Sequence, residues 1–389
     1  MIRILYFPSD TKNGVWYYRA KTPMLELCRA YSEFSVEISN KIDFGDAATL
    51  NQLPEKYDIL IVHNGIFNAE AQDKFWKALI WLHSQGVKLV LDIDDYWDYG
   101  AEHPLYSSCI STGTPQKMAM NFNFFDLITT TTYYFAEKIH RVSGKPVCVL
   151  PNGISMSDKQ FSTVKKPSTK ARLGLTGGAS HTNDIKQLLD FPKFLSKDDL
   201  SKIELVFCGY DERGSKITID ENGQKVSEKA IPLEENWWWK TEQHWLKYFK
   251  DGESYLRVPT TTIDNGEYGH IYENIDILLV PLSFTEFNSC KSELKFIEAG
   301  FTGTAIIASN STPYREFGRD NEDCMLVKEQ TARAWAMKIS KMLKNKEWKK
   351  QAAKLNERVI AERSLEMITV KRASILKQLV DGKIDNKVI

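Results

Sequence analysis

Lys291, Lys295 and Glu298 recur four and three residues apart, a spacing that on one helix places them on a shared exposed face. A lysine in the first turn of a helix sits against the positive end of the helix dipole, at a cost of roughly 0.3–1 kcal/mol. A docked anion reverses that cost, because unpaired backbone amides and the ammonium then converge on it. Phosphate is the natural guest. Glu298, two turns further on, is an acceptor placed to take hydroxyl hydrogen bonds from whatever carries the phosphate. The same spacing also fits a solvated face with an i,i+4 lysine pair.

These side chains need a strand and a helix to hold them. The near-continuous apolar run from Ile275 to Leu282 has the length of a strand buried on both faces of a parallel sheet. A helix follows, capped by Asn288 or Ser289, with Cys290, Leu294, Ile297 and Phe301 as its buried stripe. Gly303 ends it, and TAIIAS reads as the next strand. A strand ending in VPL, then FN-x-x-KS-x-x-K-x-x-E, a small-residue turn and a strand ending in Ser resembles the donor-site segment of GT-B glycosyltransferases of the retaining, family 4 type. Members of that family often carry two glutamates separated by seven intervening residues; the second matches Glu298, and the place of the first, eight positions earlier, is held by Cys290.

The resemblance implies an α/β chain of two doubly wound Rossmann-like domains facing across a cleft. It implies a nucleotide-sugar donor, such as a UDP- or GDP-sugar, with no cofactor and no metal. The acceptor would be a glycan, a lipid-linked or another hydroxyl. Retention needs no side-chain nucleophile, since the leaving diphosphate can take the acceptor proton on the same face. In this frame Lys291 holds the departing phosphate and Glu298 the ribose, with Asn288, Ser289, Ser292 and Lys295 bordering the donor.

Composition is that of a globular protein and argues against several other classes. The 389 residues suit two domains, 42% are apolar and 26% charged. Lys plus Arg equals Asp plus Glu, 51 each, so no global field favours nucleic acid. The six cysteines are scattered with no C-x-x-C pair, which points to buried thiols in a reducing, cytoplasmic setting and to neither a disulfide frame nor a zinc site. The chain begins in a strand, MIRILYF, and contains no apolar run near ~18 residues, so neither a signal peptide nor a membrane span is expected.

Strand and helix patterns alternate through residues 1–160, the expected acceptor-side domain, and begin again over 161–362, the expected donor-side domain. Strands are expected at 2–7, 36–39, 57–64, 87–93, 125–130 and 146–150, then at ARLGLT, LVFC, YLRV, ILLV, AIIAS and MLV. A Ser/Thr/Lys-rich linker covers 154–170, and 331–380 is helical. The resemblance implies that a final helix, about residues 363–389, packs back on the first domain.

Gly14 permits close backbone approach after the first strand, and Arg19 brings charge near the next helix. Both match the first loop of several GT-B enzymes, which faces the diphosphate. Asp92, Asp94 and Asp95 end the fourth strand; they could ligate Mg²⁺ or Mn²⁺, or instead brace a loop or line the acceptor cleft. His103, beyond them, matches a cleft histidine beside the reacting sugar in such enzymes. In the second half Gly177 and Gly178 free backbone amides for a phosphate. His181 and Asp184 match polar residues of the relatives or cap a helix, and Tyr268 and His270 match residues that meet the base. Trp237, Trp238, Trp239 and Trp245 share one expected helix, either a plug in the core between the domains or an acceptor-binding or membrane-surface patch that would make a peripheral membrane contact.

Overall fold

The computed structural model describes residues 1–177, 181–208, 215–219, 225–230, 232–249, 254–259, 263 and 266–389. Gly178 therefore lies outside the described residues. Strands β1 (Ile2–Phe7), β2 (Phe34–Ile38), β3 (Ile59–His63), β4 (Lys88–Asp92), β5 (Leu127–Thr130) and β6 (Val147–Val149) form one parallel sheet in the order β2-β1-β3-β4-β5-β6. Apolar residues such as those of β3, buried along its whole length, allow helices to cover both faces. In the second half β7 (Ala171–Thr176) and β8 (Ile203–Cys208) are followed by an antiparallel ribbon of β9 (Ser215–Ile219) and β10 (Lys225–Ala230). Strands β11 (Tyr255–Val258), β12 (Ile277–Val280), β13 (Ala305–Ser309) and β14 (Met325–Val327) complete a second parallel sheet, ordered β11-β8-β7-β12-β13-β14.

Strand order reverses at β1/β3 in the first sheet and at β7/β12 in the second. Such reversals open a crevice at the C-terminal strand ends, because the neighbouring crossovers leave on opposite faces. The ribbon was not expected from the polar stretch 211–235. With Val226 exposed, that stretch carries no apolar run that the sequence could reveal.

The helix Leu365–Val380 lies on the first sheet, its Ala373, Ile375, Leu376 and Leu379 in one core with Ile4, Tyr6, Met24 and Leu27. Residues 387–389 then run beside β6, with Val147 N–H donating to the Lys387 carbonyl at 3.1 Å. The tryptophan helix, Trp237–Leu246, is a core element of the second domain. Trp238 and Trp245 are buried against Phe207, and Trp237 is partly buried beside Trp238. Its aromatic face is thereby used within one lobe, which corrects both the expected membrane contact and the plug between domains. Among the described residues no helix is long and apolar enough to cross a membrane. All six cysteines are free, and Cys28 alone is not fully buried.

Candidate active site

Where the C-terminal ends of β1 and β4 face those of β7 and β12, a cavity of about 630 Å³ opens between the lobes. The first lobe contributes Asn13, Gly14, Tyr18, Asp94 and Asp95, and Asn152 comes from the start of the linker. The second contributes Gly177, His181, Tyr268, Lys291, Ser292 and Lys295. A smaller space of about 310 Å³ adjoins it, lined by His103, Phe287 and Asn288 and sharing His181 and Lys291 with the first.

Lys291 does not stand in the first turn of one continuous helix, as its spacing suggested. A short helix, Glu286–Ser289, ends before it and a second, Leu294–Phe301, begins after it. The break has a packing cause. Cys290 is buried in the first lobe's core, whereas Phe296 and Ile297 belong to the second lobe's, so one straight stripe cannot serve both. Glu293 stands at the start of the second helix, but its carboxylate is taken by Arg363 at 2.7 Å and makes no cap. The helix can lie close to Glu347–Arg363 because residue 300 is Gly: a Cβ there would come within 2.5 Å of Val359 Cγ2. Lys291 is thus presented from a connecting turn, a quarter exposed, with its ammonium 3.6 Å from Asp95 across the cleft and 4.7 Å from the Phe287 ring centroid.

Glu298 is 1% exposed, not an acceptor on an open face. Tyr18 donates to its Oε1 at 2.9 Å; Tyr272 at 2.7 Å, Lys295 at 2.8 Å and Tyr268 at 3.4 Å all donate to Oε2. Tyr18 arrives from the other lobe, so this carboxylate ties the two domains together. Burial alone would lower the Lys295 pKa, but Glu298 beside it holds the pKa above the ordinary lysine value. Lys295 also donates to Tyr268 Oη at 2.8 Å, which fixes the tyrosine at the cavity edge.

Arg19 reaches the cavity floor, but its guanidinium is not free for a phosphate. It lies in a π-helical turn, Trp16–Lys21, is 1% exposed, and grips Asp92 through Nη2 at 2.5 Å and Nε at 3.1 Å. Nη1 donates to the Leu150 carbonyl at 2.7 Å and to Asn152 Oδ1 at 3.2 Å. Tyr6 and Thr129 complete the shell of Asp92 at 2.9 and 2.6 Å. Burial opposes the charge on Asp92, yet Arg19 overcomes it and holds the carboxyl far below its usual range. Asp94 accepts from His63 at 3.0 Å, and His63 Nδ1 meets Ser9 Oγ at 2.7 Å. Burial would lower the His63 pKa, but Asp94 raises it above the ordinary histidine value. Asp92 and Asp94 are therefore bracing residues, and Asp95, half exposed, is the acid of this loop that faces Lys291.

His103 lies between the tilted rings of Tyr99 and Phe287, with ring centroids 4.4 and 4.5 Å away. Burial, and then the neighbouring Lys291, lower its pKa, so the imidazole is neutral at pH 7. Its Nδ1 accepts from the Leu105 amide at 3.1 Å, which leaves the proton on Nε2 as a donor. Asp184 organises the opposite wall: Oδ2 pairs with His181 Nδ1 at 2.7 Å, while Oδ1 accepts from the Ser283 amide at 2.7 Å and Asn288 Nδ2 at 3.1 Å. Asn288 is thus a second-wall brace inside the short helix Glu286–Ser289, which Thr285 caps, and the helix Leu294–Phe301 that it was expected to cap has no side-chain cap. Ser289 turns back onto the Thr285 carbonyl at 2.9 Å and lines neither space, unlike Ser292, which accepts from Asn152 across the lobes at 3.1 Å. His270 is exposed and pairs with Glu273, away from the cavity. Asn13, Tyr18, Asn152 and Tyr314 also line the cavity and were not singled out from sequence; Tyr18 belongs to the YYR run whose Arg was chosen, and only the tertiary pairing with Glu298 distinguishes it.

Two parallel Rossmann-like sheets joined by a linker, with a cleft at their strand ends, make this the GT-B fold. No family model matches the chain. Sucrose-phosphate synthase from Thermosynechococcus elongatus is similar with a TM-score of 0.65 at 16% identity, over 98% of this chain and 100% of that one. HepE of Anabaena, solved in complex with UDP and glucose, gives 0.63 at 12% identity over 97% and 100%. A glycosyltransferase from Rickettsia africae gives 0.60 at 13% identity over 97% and 98%. The photosystem II reaction center Psb28 protein of Synechococcus sp. (strain WH7803) is 30% identical over 90 residues, 23% of this chain and 64% of that protein, so the chain spans less than two thirds of its length. A match that short is smaller than either lobe.

Proposed function

We propose that this chain is a glycosyltransferase that takes a sugar from a nucleoside-diphosphate donor to an acceptor hydroxyl, with retention and without metal. The observation that carries the proposal is Lys291: a cation on a connecting turn in an interdomain cavity, held by one distant carboxylate while the neighbouring charges are tightly paired. A diphosphate at the ends of β7 and β12 would draw the ammonium from Asp95, since a charge-assisted contact near 2.8 Å outweighs one at 3.6 Å. Gly177 is open enough for its amide to approach the same phosphates, as a Cβ there would make only ordinary contact with His181 at 3.5 Å. His103 Nε2–H would donate to a sugar hydroxyl from the adjoining space. Glu298 acts by fixing Lys295, Tyr268 and Tyr18 and does not contact the ribose.

That HepE was crystallised with UDP and with UDP-glucose supports a uridine donor for a cavity of this shape. The reaction relies on position and charge: the leaving diphosphate, stabilised by Lys291, accepts the proton of the incoming hydroxyl on the same face. A thermal-shift screen of uridine, guanosine, adenosine and thymidine diphosphates, each with and without a chelator, tests the proposal. A bound diphosphate raises the melting temperature by mass action. One base stabilising the chain equally with chelator present is the expected result; no shift with any base contradicts it.

A further inference from the structure

The second lobe has another concavity, at the opposite ends of its strands. A groove of about 1190 Å³ runs from the starts of β7 and β12 to the junction between the helices Ala332–Leu343 and Glu347–Arg363. Its charges are unbalanced. Asp276 is consumed by Arg172 at 3.1 Å, Asp198 by Lys202 at 2.5 Å, and Asp199 accepts from Ser340 at 2.8 Å. Lys165 turns inward onto the carbonyls of Tyr272 and Ile275, and burial pulls its pKa down to about 7. Lys166 keeps Glu273 at 3.6 Å.

What remains is Lys170, which donates to Ser254 Oγ at 2.6 Å, with Lys344, Lys346 and Lys349, and no carboxylate among the described residues lies within ion-pair distance of any of them. Four ammonium groups around one concavity repel one another, in a chain whose Lys plus Arg and Asp plus Glu are equal in number. Lys344 precedes, and Lys346 forms part of, a turn in which Asn345 and Lys346 are both left-handed, φ 54° each. For a lysine that conformation costs roughly 1–2 kcal/mol. The groove is not only basic. Trp348 lies in its wall, half-buried, with Lys349 5.2 Å from its ring centroid, and Ser168, Thr169 and Asn345 add hydroxyl and amide groups. A flat apolar ring, several hydrogen-bonding groups and a ring of cations suit a sugar chain that carries negative charge.

We infer that this groove binds an anionic saccharide, separately from the interdomain cavity. Trp348 packs part of its ring against the second lobe's core, and a phosphate alone would not use the part that faces the groove. Duplex nucleic acid would need a basic field extending beyond the groove, which the balanced charge of the chain does not supply.

Calorimetry on the full chain with a heparin-derived hexasaccharide, with maltohexaose and with tripolyphosphate tests the inference apart from any transferase activity. The hexasaccharide should bind and weaken with added salt. A variant carrying Lys344→Gln, Lys346→Gln and Lys349→Gln should lose at least about tenfold in affinity, with its melting temperature and nucleotide binding unchanged. Trp348→Leu should weaken the hexasaccharide but not tripolyphosphate. Undiminished binding by the triple variant, equal binding of maltohexaose, or equal loss of both anions in Trp348→Leu overturns it.

Discussion

The charges of the cleft fall into two kinds. Around β1 and β4 they are locked: Arg19 closes on Asp92 at 2.5 Å and His63 on Asp94 at 3.0 Å, with hydroxyls filling the remaining valences. In the turn between the helices Glu286–Ser289 and Leu294–Phe301, Lys291 stands 3.6 Å from Asp95 and a quarter exposed. A buried charge that has every partner it needs holds the fold, whereas one left partly unmatched at a cavity wall is available to a ligand. The second lobe also contains a locked set, Lys295 with Glu298, so the difference separates roles and not domains.

The contrast breaks most visibly at Arg19. Arg19→Ala should destabilise the chain by about 3–5 kcal/mol in urea denaturation, because Asp92 would be left buried without its counter-charge. A loss under about 1 kcal/mol would mean that the pair is not structural. Tyr18→Phe removes one donor from the buried Glu298 and should cost about 1–3 kcal/mol by the same measurement, the penalty of a buried polar group losing a partner.

The pH dependence sharpens the contrast at another locked pair, His63 with Asp94. The His63 pKa is raised above its ordinary 6.5, so its stabilisation is complete below that value and is lost as pH rises through the raised one. The pKa values of Asp92 and Asp94 are lowered from 3.8, so their stabilisation is present above that value and is lost as pH falls. The stability difference between the native chain and His63→Asn should therefore be larger near about pH 5.5 than near about pH 9. An equal difference at both would place His63 outside the ionic network. The smallest effect belongs to Gly177→Ala. Stability should stay within about 0.5 kcal/mol, since the added Cβ clashes with nothing described, while nucleotide affinity falls if amides approach the phosphate.

The fold was legible in the sequence because its signals are local. Most strands of the two parallel sheets lie within short apolar runs, and Gly303, where a helix was expected to end, has positive φ. The site was legible in outline only. Lys291, Lys295, Gly14, Gly177, His181, Tyr268 and Ser292 do converge on one cavity. What spacing could not supply was partnership across the chain: Glu298 is claimed by Tyr18, 280 positions away, and Arg19 by Asp92, 73 positions away. Nor could helical periodicity anticipate the break at 290–293, since Cys290 and Ile297 answer to different cores.

The dissociation constant of uridine diphosphate, measured by calorimetry for the native chain and for Lys291→Ala, bears most directly on the claim that this loosely held cation receives the donor. Loss of one charged hydrogen bond should weaken binding by ~1.5–3 kcal/mol, with the unfolding midpoint unchanged. An unaltered dissociation constant would contradict the account.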